Sequence, residues 1–126
     1  MPFWLRFALI FTTFMNLFGG FAFSPWGRFL QKWGGFPDAP DLYLWIVASF
    51  IFGMGMVYGW MTIKNTPNRL VIALACYGKI TFSLILAHAS FTEVTPAMVG
   101  LSGIPDFILG ILFGVWLIKT REQTSN

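Results

Sequence analysis

Apolar residues fall in four long runs, and the polar residues collect where one run ends and the next begins. The first run, Phe3 to Phe23, is broken only by Arg6, close enough to the chain start for its stem to carry the charge to a membrane interface. It ends on bulky Phe21 and Phe23, a poor cleavage site, and three more runs follow, so it predicts a retained helix rather than a signal peptide. The second run, Leu42 to Ile63, has 22 residues and no charge. As a helix it would extend about 33 Å, enough to cross a hydrocarbon core of about 30 Å. The third opens at Thr66-Pro67, a cap followed by proline, and continues to Phe91 with Lys79 and His88 inside it. The fourth is less regular: Asp106 to Ile118 alone would cover only about 20 Å. Its helix is therefore expected to start at Thr95-Pro96 and to carry Pro105 as an internal kink. The alternative is an interfacial or re-entrant piece over residues 96–103.

Between the first two runs lies Ser24-Pro25-Trp26-Gly27-Arg28-Phe29-Leu30-Gln31-Lys32-Trp33-Gly34-Gly35. Ser24 suits a cap, Pro25 the first helical position, and the glycines a helix end. Trp26, Phe29, Leu30 and Trp33 share one face, with Arg28 and Lys32 displaced from it, which predicts a short helix lying in the interface with Trp26 and Trp33 as anchors. The expected fold is all-α: a polytopic four-transmembrane-helix bundle with spans at about 3–23, 42–63, 67–91 and 96–118. It forms one domain over residues 1–118, followed by a short polar cytoplasmic tail, 119–126.

Composition agrees with this pattern. The chain is 56% hydrophobic and 10% charged, against about 25% charged in soluble domains, too little polar material to cover a water-facing surface. The net charge of +3 sits at the run ends and forms no stripe, so no nucleic-acid partner is expected. Arg6, Lys64, Arg69, Lys119 and Arg121 fall on the side of the two termini. Arg28 and Lys32, with the acids Asp38, Asp41 and Glu93, fall on the other. This bias predicts that both termini are cytoplasmic. Cys76 is the only cysteine, which excludes internal disulfides and dithiol redox chemistry.

No catalytic constellation is visible. The candidate buried polar site is Lys79 and Asp106, with Asn16 and Ser83. Lys79 lies 12 residues after Pro67 and Asp106 12 before Ile118, so both sit about 18 Å from the same end of antiparallel helices and can pair if their faces match. Such a pair serves either to pin two helices or to form a site for a substrate, proton or headgroup. Pro105 leaves the Leu101 carbonyl without its helical partner, beside Gly100, Ser102 and Gly103. His88 is the only histidine, and no metal site is expected. Small residues at four-residue spacing (Gly110 and Gly114, Ser49 and Gly53, Gly55 and Gly59, and the Thr12-Asn16-Gly20 stripe) mark helix faces expected to pack within the bundle.

Among four-helix membrane families, small multidrug transporters need a glutamate where this first helix offers Asn16, and disulfide-forming quinone reductases need cysteine pairs. The chain resembles the small bacterial membrane proteins grouped as DoxX-like. The likeness is carried by Asn16 to Gly20, Trp26 with Gly34-Gly35-Phe36-Pro37, Gly53 to Tyr58, Asn65-Thr66-Pro67-Asn68-Arg69, Gly78-Lys79, and Ile104-Pro105-Asp106-Phe107 with Phe113. That resemblance implies a multi-pass protein of the bacterial inner membrane, with Lys79 and Asp106 at recurring polar positions. The group includes a membrane subunit associated with sulfur-compound oxidation and quinone reduction. The expected function is an accessory membrane protein or one that binds a small hydrophobic ligand, a quinone or a lipid; no cofactor is otherwise evident. An oligomeric transporter or channel, or a subunit of a quinone-linked redox complex, is the alternative. The bilayer, further copies of the chain, or a separate membrane subunit are the expected partners.

Overall fold

A computed structural model describes residues 1–92 and 95–121. The described chain is helical: α1 (Phe3–Ala22), a 3-10 turn (Pro25–Gly27), α2 (Arg28–Gly34), α3 (Asp41–Lys64), α4 (Arg69–Phe91), α5 (Ala97–Leu101) and α6 (Ile104–Lys119). Four segments are long and apolar enough to cross a membrane: α1, α3, α4, and α5 with α6 taken together. The expected all-α four-helix bundle with a short helix after the first span is therefore present. Most of its outward side chains, among them Phe14, Phe18, Phe50, Trp60, Leu70 and Ile85, are large and apolar. Water solvates such a surface poorly, whereas hydrocarbon solvates it well.

Local chemistry sets the helix ends and corrects three expectations. The third span starts at Arg69, not at Thr66-Pro67. Asn68 is extended, and its side-chain carbonyl accepts from the Val71 N–H at 3.1 Å, the role in which asparagine outranks threonine. Ser24 does not cap: its hydroxyl donates back to the Phe21 carbonyl at 2.7 Å, and the chain makes a 3-10 turn before α2. Gln31, buried in α2, donates to the Ala22 and Ser24 carbonyls and so satisfies the open end of α1. Gly35 ends α2 at φ 85°, a left-handed conformation in which a side chain would be strained.

The fourth span is interrupted rather than kinked within one helix. Ser102 and Gly103 form a turn between α5 and α6, both still in right-handed backbone geometry, and Pro105 falls in the first two positions of α6. A proline without its N–H is accommodated there because the early amides of a helix have no intrahelical acceptor. The Ser90 hydroxyl ties α5 to α4, donating to the Pro96 carbonyl at 2.9 Å and accepting from the Gly100 N–H at 2.8 Å. Glu93 and most of the expected polar tail, residues 122–126, lie outside the described residues.

Packing is by pairs. α1 lies along α3, and α4 lies along α5 and α6, while α3 and α4, although consecutive, make little direct contact. The two pairs meet in a core of Leu5, Ala8 and Leu9 from α1, Tyr58 and Met61 from α3, Ile72 and Ala75 from α4, and Leu109, Phe113 and Trp116 from α6. All of these residues except Leu109, which lies just before the middle of α6, are in the half of their helix nearest the chain termini. In the other half the pairs diverge, and the gap between them is the main feature of the molecule.

Candidate functional site

The gap is a cavity of about 1150 Å³. One wall is α1 and α3, through Met15, Asn16, Gly19, Phe50, Ile51 and Met54. The facing wall is α4 with the α5–α6 junction, through Leu74, Gly78, Lys79, Phe82, Leu101 and Asp106. Leu30, Trp33 and Gly34 of α2, with Phe36, bound it on the side away from the termini. Phe23 holds that cover in place by edge-on contacts to Phe36 and Phe82, at 5.2 and 6.2 Å between ring centres. Lining residues Phe18, Phe50 and Tyr77 are exposed at the rim, so the cavity opens sideways onto the apolar outer surface.

At its floor Lys79 Nζ donates to Asp106 Oδ1 at 2.7 Å, with side chains 7% and 16% exposed. Both are placed by helix periodicity. Lys79 continues the inward stripe Ile72, Ala75, Lys79, Ser83, Leu86 of α4. Asp106 lies in the first turn of α6, where the helix dipole and unpaired amides favour a carboxylate. The break before α6 thus puts a helix N-terminus, and with it a site that tolerates a negative charge, in the interior beside Lys79.

The other expected members divide. Asn16 lines the cavity, and its amide Nδ2 donates to the Ile51 carbonyl at 3.0 Å, linking α1 to α3. Ser83 does not join the site: its hydroxyl donates to Ile80 in its own helix, and it packs against the backbone position of Gly103. Pro105 faces away from the cavity, into an apolar groove of about 620 Å³ between α1 and α6 that carries no charged side chain. Trp33 is at the cavity rim, whereas Trp26 packs edge-on against Trp45 of α3. His88 is exposed.

Tyr58 is a member that the sequence reading did not single out. It is 4% exposed, lines the cavity and lies within electrostatic reach of Asp106. Its hydroxyl makes no hydrogen bond among the described residues. A phenol inside an otherwise uncharged run was the available signal, but its inward direction depends on how α3 packs. Thr12, fully buried on α1, likewise has an unpartnered hydroxyl. Among the described residues no three of His, Cys, Asp and Glu gather into a metal-binding group. Compared with protein-family models, with curated proteins and with solved structures, the chain matches none.

Proposed function

We propose that this chain is a multi-pass protein of the bacterial inner membrane, with both termini cytoplasmic, that binds a small amphiphile, a lipid or a quinone, between its two helix pairs. It acts as a binding or accessory protein rather than as an enzyme. One observation carries the reading: a cavity of about 1150 Å³, apolar over nearly all its wall, lined by one buried ion pair and open sideways. Ligand sites of about 300–1,000 Å³ commonly combine apolar walls with a few convergent polar groups. Here the volume suffices for a head and part of a tail, and the side opening lets the rest of the tail stay among lipid chains. The resemblance to DoxX-like proteins supports the same reading.

Native mass spectrometry of protein extracted gently from its own membranes tests it. Wild type is expected to carry an adduct with the mass of a lipid or quinone. Gly78 lines the cavity on its exposed side, and a Cβ built on it meets no atom within 4 Å, so the position has room for a side chain and Gly78→Trp is expected to obstruct the cavity. That variant is expected to lose the adduct at an unchanged melting temperature. A bare wild-type mass, or an adduct that persists in Gly78→Trp, defeats the proposal.

A further inference from the structure

The polar groups of the cavity select the kind of head it receives. Among the described residues Lys79 and Asp106 are the only charged ones that line it, and they are paired, so this lining carries no net charge. Lys79 lies ten residues into α4 and twelve from its end, about 15 and 18 Å from either face, which is mid-span. A phosphate brought to that depth would give up its hydration and meet Asp106 as well as Lys79, and its own charge would hold it at the interface. What the site leaves unused is hydrogen bonding. Tyr58, 4% exposed as a residue, lines the cavity, and its hydroxyl makes no hydrogen bond among the described residues. Nζ of Lys79 spends one of its three N–H groups on Asp106 and makes no other hydrogen bond among the described residues. A tyrosine hydroxyl removed from water usually finds a partner, and an incoming acceptor would supply one.

We infer that the cavity takes an uncharged, tail-bearing molecule whose head presents a carbonyl oxygen to the Tyr58 hydroxyl. Both a diacylglycerol-type neutral lipid and a benzoquinone have this chemistry; a phospholipid does not. The inference rests on the amphiphile-binding reading and narrows it to a class of head.

Thermal-shift titration of the delipidated full-length protein in detergent tests it with four probes: dioctanoylglycerol, decylbenzoquinone, dioctanoyl phosphatidate and the headless hydrocarbon hexadecane. At least one neutral carbonyl probe is expected to bind about tenfold or more tighter than phosphatidate, and which of the two does so identifies the source. Tyr58→Phe is expected to weaken that probe by about five- to tenfold, the loss of one hydrogen bond, and to leave hexadecane unchanged. Phosphatidate binding as tightly as the neutral probes overturns the inference on the wild-type protein alone, whether or not the variant folds, and leaves amphiphile binding standing. Unchanged affinity in Tyr58→Phe, or hexadecane matching the headed probes, overturns it in the same way. No stabilisation by any of the four overturns this inference and the amphiphile reading together.

Discussion

Lys79 and Asp106 illustrate how one contact can serve both stability and a site. A buried pair contributes little net energy over an apolar substitute, but removing one partner strands the other charge. Lys79→Met is therefore expected to lower stability by on the order of 3 kcal/mol. Lys79→Met combined with Asp106→Asn should recover much of that loss, because no charge is then left alone. Thermal unfolding of the three proteins in one detergent is the measurement; equal melting temperatures for the single and double variants would remove the pair from the list of stabilising contacts. Arg69 shows a different use of charge. At the start of α4 it donates to the Leu117 carbonyl at 3.0 Å and to the Thr120 hydroxyl, and its guanidinium lies 5.5 Å from the Trp116 ring centre. The first of those contacts satisfies a carbonyl oxygen that the last turn of α6 leaves open, and together they fasten α6 to α4 at the densely packed end.

At the level of elements, small residues decide which faces meet. A Cβ on Gly55 would come within 2.8 Å of the Asn16 Cβ, and one on Gly20 equally near the Phe52 Cβ, so α1 and α3 touch almost backbone to backbone. Gly110 and Gly114 do the same for α6 against Ile80 and Cys76 of α4. The expected Ser49 and Gly53 face behaves otherwise: Ser49 is exposed, and a Cβ on Gly53 meets nothing within 4 Å. That face points outward because the Gly55 and Gly59 side of α3 already seats α1. Gly55→Val is accordingly expected to cost about 1–3 kcal/mol by overpacking. Gly53→Ala should be neutral or gain up to about 1 kcal/mol through helix propensity. Chemical denaturation of both variants checks the contrast, and equal losses would mean that the α1–α3 contact is less close than described.

Across the whole molecule, dense packing is confined to the end that carries the termini, and the opposite half is left to the cavity. An arrangement closed at one end and open sideways at the other can admit a tailed molecule without exposing it to water. The charges at the two ends give this polarity a direction. Arg6, Lys64, Arg69, Lys119 and Arg121 lie at the packed end; Arg28, which pairs with Asp41 and donates to the Ala39 carbonyl at 3.0 Å, and Lys32 lie at the other. On a Cys76→Ala background, Asp38→Cys is expected to react with an impermeant maleimide in intact cells, and Asn65→Cys only after permeabilisation. The reverse pattern would place the cavity cover and α2 on the cytoplasmic side.

Residue order alone determined the number of crossings, the short helix after the first of them and the equal depth of Lys79 and Asp106. Each follows from run length, from breakers and caps, and from the fixed rise of a helix. Packing decided that α3 and α4 stand apart, that Ser83 faces a glycine instead of the cavity, that Pro105 begins a helix, and that Tyr58 turns inward. In water an apolar stripe betrays the buried face of a helix. In a bilayer, lipid satisfies an apolar side chain as well as protein does, so runs such as Leu42 to Ile63 carry no stripe to read. There the inward face is settled by fit, by which glycines admit a neighbouring backbone and which polar group finds a partner. Fit is a property of the assembled helices rather than of any one of them.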